Sequence, residues 1–354
     1  MRIASNTPLR QPPHDYCPAG ADRWFQIPDG LDAGKQLFYI DHQTRPDSPD
    51  RTVLFVHGNP ECSYTYRRCR DALIESGAAL RIVIPDHIGF GLSDQADFEM
   101  VDVHHAANLA QLIRHLDLQD ITLVVHDWGG PIGIGSFAGM MDRVERLVVL
   151  NTTVFPMPPD GIRYNNWPAR WMPWSVFPRL MPDATWGGVA ATVLEDADPQ
   201  PFIRLAARSA RMQWRFVRRA IEPGTAGHVF SEQFRSRANA RSSQRNVLQT
   251  PCWGHGYRYT DARHGVQDNH AFYATLQQAL PANWGPTGRN IPVSGHFGAW
   301  DPCAKPSVIQ QWRDALPRLD EDLHLYPETG HFVEESKGEA IAASILADRS
   351  SEAL

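Results

Sequence analysis

The sequence predicts an α/β protein with a mostly parallel, doubly wound sheet and an inserted helical cap. First, short β-rich runs alternate with helical stretches in the early and late parts of the chain. Second, several of these runs are apolar almost throughout, as expected of strands buried on both faces of a parallel sheet. Third, the alternation stops after Thr153 and resumes near Asn290, which indicates an insertion.

The predicted elements alternate between strand and helix on both sides of the insertion. The strands are expected at residues 51–56, 80–84, 121–125, 147–150, 291–295 and 323–326. The helices are expected at residues 65–76, 103–116, 131–140, 307–315 and 338–346. We therefore expect an N-terminal tail (1–20), an α/β core (21–153 and 291–354) and the inserted helical cap (154–290).

One amphipathic helix is predicted inside the insertion. Its apolar residues recur at steps of three and four positions, which predicts an apolar face made of Phe202, Ala206, Ala210, Trp214, Val217 and Ile221. A second face carries Arg204, Arg208, Arg211, Arg215 and Arg218, and we interpret it as a solvated face rather than an anion-binding site.

Composition excludes several function classes. The formal net charge of −6, from 34 basic and 40 acidic side chains, does not favour binding to a phosphate backbone. No run approaches the roughly 20 apolar residues of a membrane helix, and the N-terminus lacks the apolar middle of a signal peptide. We expect a cytoplasmic protein that binds neither nucleic acid nor a membrane.

The scattered cysteines form no C-x-x-C pair, and we expect free thiols at Cys17, Cys62, Cys69, Cys252 and Cys303.

A sharp turn from strand to helix is predicted directly after residues 121–125, where the sequence is HDWGGP. Such a turn raises the side chain at its apex above the sheet, and the glycines behind the apex let the helix pack closely. The apex residue is Asp127. A carboxylate there attacks carbon and forms an ester, whereas the structural alternative is an N-cap of the helix. We predict that Asp127 is a nucleophile.

Two neutral donors are predicted beside this nucleophile. Asn59 lies in the loop after residues 51–56, and Trp128 follows Asp127 directly. The amide and the indole N–H can bind a departing anion such as halide without pairing permanently with the nucleophile. The structural alternatives are a turn residue before proline for Asn59 and simple packing for Trp128.

A general base and an orienting acid are predicted after later strands. His331 follows the last predicted strand, which is the expected position for the base that activates water. The acid belongs at a strand end between nucleophile and base, where Asn151 cannot carry a charge and Asp301 can. We therefore choose Asp301. His57, His126 and His296 also lie beside strand ends, and we do not assign them to catalysis.

The motifs together resemble the α/β-hydrolase superfamily and, within it, the haloalkane dehalogenases. The matching segments are VHGNPE (56–61), IPDHIGFGLSD (84–94), VVHDWGG (124–130), GAWDP (298–302) and GHFVEE (330–335). The resemblance implies an α/β-hydrolase fold with Asp127 as nucleophile, His331 as base and Asp301 as acid. It also implies that Asn59 and Trp128 stabilise the halide.

Other functions fit the same residues. The sequence also resembles the β-lactone decarboxylases of olefin biosynthesis, in which the aspartate would open a lactone and release CO₂ and an alkene. Epoxide hydrolases share the HDWG turn and a glutamate like Glu61, and they need tyrosines in the lid. Candidates are Tyr164, Tyr257, Tyr259 and Tyr273. A catalytically idle, ligand-binding relative is less consistent with a complete set of Asp127, Asp301 and His331.

The predicted mechanism requires no cofactor and no metal, because no cluster of histidines and carboxylates has the spacing of metal ligands. The expected partner is a small apolar organic substrate. The insertion is longer than a typical dehalogenase lid, chiefly at residues 225–264, and lids of this fold shape the choice of substrate. The sequence indicates neither the physiological substrate nor the oligomeric state.

Overall fold

The computed structural model describes residues 6–45, 49, 51–158, 176–195 and 201–347. Its centre is an eight-stranded sheet in the order β1-β2-β4-β3-β5-β6-β9-β10. A two-stranded sheet, β7-β8, lies in the insertion. The strands are β1 (Asp22–Gln26), β2 (Gln36–Gln43), β3 (Arg51–Val56), β4 (Leu80–Pro85), β5 (Ile121–His126), β6 (Val144–Leu150), β7 (Arg258–Asp261), β8 (Gly265–Asp268), β9 (Val293–Gly298) and β10 (Leu323–Tyr326).

Helices cover both faces of the large sheet and form most of the described part of the insertion. They are α1 (Arg67–Glu75), α2 (Asp102–His115), α3 (Gly129–Ser136), α4 (Phe177–Leu180), α5 (Trp186–Glu195), α6 (Phe202–Val217), α7 (Ala226–Glu232), α8 (Arg237–Gln249), α9 (His270–Trp284), α10 (Pro306–Ala315) and α11 (Val333–Leu346). No described helix has both the length and the apolar character that crossing a membrane requires.

The sheet is parallel from β4 to β10, and β1 and β2 join it in antiparallel pairings. This confirms the predicted fold class. The chain leaves the sheet after β6 and returns beside it as β9, with the insertion between them. Because the carboxyl ends of parallel strands meet at one edge, the loops after β3, β5, β9 and β10 are brought together.

The core lies on both faces of the sheet, with alternate residues of each central strand facing opposite sides. In β5, Leu123 and Val125 belong to the hydrophobic cluster on one face, and Val124 belongs to the cluster on the other. All three side chains are fully buried. Burial on both faces explains why these strands are apolar without interruption.

The predicted strands and helices of the core are present, with ends shifted by a few residues. Strands β3 and β10 have the predicted bounds. Strands β1 and β2 were not predicted from the sequence. They have polar residues among the apolar ones, and they form the antiparallel end of the sheet. The first 20 residues include Leu9 and Tyr16, both fully buried against the core. The five cysteines are free thiols, as predicted.

The predicted apolar face of α6 is wrong for most of its residues. Phe202, Trp214 and Val217 are exposed, whereas Leu205, Met212 and Phe216 are the buried side chains of this helix. A helix of alternating arginine and apolar residues allows two neighbouring apolar faces, and packing against α5 selects one of them. The insertion meets the core through a cluster that includes Trp186 and Val189.

Candidate active site

Asp127 stands at the carboxyl end of the central strand β5, at the start of a sharp turn into α3. Its φ of +50° is in the left-handed region, where an aspartate is tolerated better than most residues. The Thr152 hydroxyl donates to the Asp127 carbonyl over 2.5 Å. A Cβ at Gly129 would lie 2.1 Å from the Val56 carbonyl oxygen, so only glycine allows this close approach of α3 to β3.

The loop after β3 holds one oxygen of the Asp127 carboxylate. The backbone N–H of Asn59 donates to Asp127 Oδ1 over 2.7 Å. The loop can approach this closely because residue 58 is glycine, and a Cβ there would lie 2.4 Å from the same oxygen. The carboxylate is therefore oriented by the backbone and is only 3% exposed.

His331 and Asp301 complete a chain of three groups at the same edge of the sheet. The Nε2 atom of His331 lies 3.2 Å from Asp127 Oδ2. Its Nδ1–H donates to Asp301 Oδ2 over 2.6 Å, and Asp301 Oδ1 accepts from the backbone N–H of Cys303 over 2.7 Å. The structure thus brings together the three residues that the sequence analysis selected as nucleophile, base and acid.

Two opposing effects determine the charge of His331. Burial acts to lower the pKa of this imidazole, but the carboxylates of Asp301 and Asp127 outweigh burial and raise the pKa well above its ordinary value. The pKa of His331 therefore depends on the charge of Asp127, and neutralising that carboxylate would lower it.

Asn59 and Trp128 lie beside Asp127. They line, together with Asp127 and His331, a cavity of about 50 Å³. The insertion contributes apolar and small residues to its lining: Trp186, Val189, Ala190, Val193, Val247 and Thr250. The Trp128 ring is held in place by stacking on Trp253, with ring centres 4.5 Å apart and planes at 15°. The cavity combines apolar walls with a few polar groups next to the carboxylate.

A larger cavity of about 530 Å³ lies at residues 326–337 and reaches His331, but Asp127 does not line it. We take the smaller cavity as the candidate site, because Asp127, His331, Asn59 and Trp128 all line it.

A second buried cluster lies behind the base. Nδ1 of His126 is 2.6 Å from Glu61 Oε1, and its Nε2–H donates to the carbonyl of His331 over 2.8 Å. Glu334 Oε2 lies 3.5 Å from the same Nε2. Burial acts to lower the pKa of His126, but Glu334 and Glu61 outweigh it and raise the pKa to about 9. Burial in turn raises the pKa of Glu334 to about 8. His126 supports the backbone of His331 through the hydrogen bond to its carbonyl.

The ligand atoms of Glu61, His126 and His331 lie within 4.8 Å of one another, which is close enough for a metal ion. His126 Nδ1 lies 2.6 Å from Glu61 Oε1 without forming a hydrogen bond, and the other three ring nitrogens face the oxygens described above. Nearby acceptor oxygens favour protonated nitrogens, whereas a metal would need unprotonated ones. This donor set therefore suits an internal ion pair and does not suit a metal site.

The lid tyrosines of an epoxide hydrolase are not found at this cavity among the described residues. Tyr273 donates to the carboxylate of Asp102, and Tyr257 accepts from Arg245. The Tyr259 ring lies under the guanidinium of Arg245, at 3.6 Å. Tyr164 lies outside the described residues.

The other two histidines beside strand ends have different partners. His57 bonds the Gly58 carbonyl and His296 bonds the Tyr326 hydroxyl, and neither contacts the carboxylate of Asp127.

Two residues of the insertion were missed by the sequence analysis. The Ser243 hydroxyl donates to Asn59 Oδ1 over 2.6 Å, and the Trp186 indole donates to Ser243 over 2.8 Å. Ser243 is 184 positions from Asn59 in the chain, and no motif surrounds it, so the sequence offers no signal for this contact.

The chain is similar in sequence to known proteins. Residues 51–337 match the family model described as alpha/beta hydrolase fold. The cis-3-alkyl-4-alkyloxetan-2-one decarboxylase of Xanthomonas campestris is 28% identical over 331 residues, covering 89% of this chain and 92% of that protein. A protein of the same name from Shewanella oneidensis is 40% identical over 129 residues, which are 35% of this chain and 38% of that protein.

Dehalogenases are similar over nearly the whole chain. Haloalkane dehalogenase 2 of Mycobacterium tuberculosis is 28% identical over 337 residues, covering 92% of this chain and 93% of that protein. The tetrameric haloalkane dehalogenase DpaA from Paraglaciecola agarilytica NO2 has a similar fold, with a TM-score of 0.59 over 97% of both chains and 22% identity.

Proposed function

Because the chain belongs to the alpha/beta hydrolase fold family, we propose that it is a hydrolase of the haloalkane dehalogenase type. The observation that carries this proposal is the carboxylate of Asp127 at the apex of the turn, in one cavity with His331, Asn59 and Trp128. Sequence similarity to a haloalkane dehalogenase over 92% of the chain supports it. We also propose that residues 154–290 act as the cap that closes this cavity.

In the first step, a carboxylate oxygen of Asp127 attacks the carbon that carries the halogen. A carbon–oxygen bond forms while the carbon–halogen bond breaks, and the halide leaves with the bonding electrons. The amide N–H₂ of Asn59 and the indole N–H of Trp128 stabilise the negative charge on the leaving atom. The product of this step is an alkyl ester of Asp127.

In the second step, His331 removes a proton from water, and the resulting hydroxide attacks the ester carbonyl carbon. The alcohol leaves, and Asp127 is regenerated with one oxygen from water. The ester carries no negative charge, so the Asp127 contribution that raises the pKa of His331 is lost once the ester forms. This loss favours the neutral imidazole that the second step needs, although Asp301 still acts to raise the pKa of His331. Asp301 stabilises the imidazolium that results.

A second candidate function is the opening of a β-lactone. The observation in its favour is the similarity to two cis-3-alkyl-4-alkyloxetan-2-one decarboxylases. In that reaction Asp127 attacks the ring carbon that carries the oxygen, and breaking of this carbon–oxygen bond frees the lactone carboxylate. Loss of CO₂ then forms the alkene double bond and expels the Asp127 carboxylate. Both candidates depend on the same nucleophile, so the substrate distinguishes them.

The test compares the wild-type protein with Asp127→Asn. Asparagine tolerates the left-handed backbone at this position better than alanine does. A matched control is Asp120→Asn, because Asp120 is exposed and also has a φ of +50°. Bromide release is measured from a panel of short bromoalkanes, and alkene release from a cis-dialkyl β-lactone is measured in parallel.

We expect the wild-type protein and Asp120→Asn to release bromide, and Asp127→Asn to release none above background. Alkene without bromide from the folded wild-type protein would replace the first candidate with the second. Turnover of either substrate by Asp127→Asn at the wild-type rate would contradict both.

A further inference from the structure

A short chain of hydrogen bonds links the insertion to the predicted halide donor Asn59. The indole N–H of Trp186, the first residue of α5, donates to the Ser243 hydroxyl over 2.8 Å. The Ser243 hydroxyl, from the middle of α8, donates to Asn59 Oδ1 over 2.6 Å. All three side chains are buried, so water does not compete for these bonds.

The chemistry of the three groups determines which end of the Asn59 amide faces Ser243. An indole N–H can only donate, so Ser243 must use its oxygen as the acceptor for Trp186. The single hydroxyl proton of Ser243 then requires an acceptor, and Asn59 Oδ1 is the acceptor that lies within reach. If the amide were reversed, its N–H₂ would face the same oxygen and the hydroxyl proton would lose this partner. The arrangement therefore leaves the N–H₂ group of Asn59 as the end that is available to the cavity.

The neighbouring residue of the same loop is also held from the insertion. The Nε2–H of Gln233 donates to the Pro60 carbonyl over 2.6 Å. The Oε1 atom of Gln233 accepts from the backbone N–H of Gly91 over 2.8 Å, so this side chain is fixed at both ends. The loop that carries Asn59 is therefore positioned by two polar contacts from the insertion.

We propose that Ser243, oriented by Trp186, is a positioning residue that fixes the polarity of the Asn59 amide toward the leaving anion. This inference rests on the proposed function, in which the N–H₂ group binds halide. Without the Ser243 hydroxyl the amide is free to turn by about 180°. Its carbonyl oxygen would then face the halide and repel it.

The experiment measures the dissociation constant of bromide from the saturable quenching of tryptophan fluorescence. It also measures the rate of bromide release from a bromoalkane in a single turnover. The variants are Ser243→Ala, Asn59→Ala and the double variant. Ser242→Ala is the matched control, because Ser242 is the preceding residue of α8, is also fully buried and bonds the backbone N–H of Met100. Trp186 is not varied, because its side chain lines the cavity.

We expect Ser243→Ala to weaken bromide binding and slow bromide release about tenfold each, the effect of losing one hydrogen bond to a charged group. The KM for the bromoalkane should stay within about threefold of wild type, because Asn59 contacts the leaving atom rather than the alkyl group. Asn59→Ala and the double variant should bind bromide equally, since Ser243 acts only through Asn59. Ser243→Cys, which keeps a weak donor of similar size, should fall between wild type and Ser243→Ala. It serves as the test if the alanine variant does not fold.

Equal bromide affinity and release rates in Ser243→Ala and Ser242→Ala would overturn the inference while leaving the proposed function intact. A further weakening of bromide binding in the double variant, beyond Asn59→Ala, would also overturn it. If the wild-type protein neither binds nor releases bromide, the proposed function fails and the inference fails with it.

Discussion

Two groups of buried histidines differ in the carboxylates around them. His57, His87 and His105 lie together near the ends of β3 and β4, with His57 and His87 ring centres 4.3 Å apart. His126 and His331 lie at the ends of β5 and β10, with ring centres 4.7 Å apart. All five side chains are nearly inaccessible to solvent.

The pKa values of the two groups shift in opposite directions. Burial lowers the pKa of His87 to about 4 and lowers the pKa of His57 and His105 well below the ordinary value. Burial acts on His126 and His331 in the same sense, but neighbouring carboxylates reverse the shift. Burial alone therefore lowers the pKa of an imidazole, and neighbouring carboxylates reverse that shift at the candidate site.

Removing the carboxylate beside His331 should reduce activity strongly. Asp301→Asn keeps the Oδ1 atom that accepts from the backbone N–H of Cys303. It removes the negative charge beside His331, which then has fewer carboxylate neighbours, as His87 does. We expect kcat for bromide release to fall by about 10³- to 10⁴-fold, as in other catalytic triads. Asp320→Asn, at an exposed carboxylate paired with Arg313, is the control and should retain wild-type activity. A loss of less than tenfold in Asp301→Asn would contradict the role of Asp301.

The second prediction removes both carboxylates from His126. In the double variant Glu61→Gln/Glu334→Gln, the imidazole has neutral neighbours like those of His87. We expect the pKa of His126, followed by NMR of labelled histidine, to fall from about 9 to below 6.5. The variant Glu335→Gln, at the next position and paired with Arg67 on the surface side, should leave that pKa unchanged. A pKa that stays near 9 in the double variant would show that the carboxylates are not its cause.

The third prediction concerns stability in acid. The pKa of His87 in the folded protein, about 4, is below its ordinary value of 6.5, so the unfolded chain binds more protons between these pH values. Stability from this group is complete above pH 6.5 and is lost as the pH falls toward 4. The loss for His87 alone is about 3 kcal/mol, at 1.36 kcal/mol per pKa unit. Urea unfolding between pH 7 and pH 4 measures it.

The variant His105→Leu tests whether buried histidines cause this loss of stability in acid. The described residues offer neither ring nitrogen of His105 a hydrogen-bond partner, so an apolar side chain of similar size leaves no polar group unpaired. We expect the decline of stability with falling pH to be shallower in this variant than in the wild-type protein. A decline of the same steepness would mean that groups other than the neutral histidines control acid unfolding. His126 acts in the opposite direction, because its raised pKa stabilises the fold below pH 6.5 and loses that effect as the pH rises through about 9.

The sequence predicted the parts of this molecule that depend on local pattern. Strands β3 and β10 and the HDWGGP turn could be predicted to within a few residues, and so could the polar residues that follow strand ends. The sequence did not reveal which histidines carry charge, because His57, His126 and His331 all stand beside strand ends. Their difference depends on Glu61, Glu334 and Asp301, which only the fold brings into contact.

Other features that were not predicted also depend on contacts that the local sequence does not encode. The buried face of α6 depends on its packing against α5, and the hydrogen bond from Ser243 to Asn59 joins residues 184 positions apart. Strands β1 and β2 were missed because strands at an antiparallel end lack the continuous apolar runs of the centre.

In the proposed mechanism, Asp127 forms a covalent ester with the substrate, and His331 then helps to hydrolyse it. The most direct test is the intact mass of the variant His331→Gln after incubation with a bromoalkane. We predict release of one equivalent of bromide and a stable mass increase equal to the alkyl group less one hydrogen, located on the peptide that contains Asp127. A burst of bromide without any adduct, or an adduct on another residue, would contradict this mechanism.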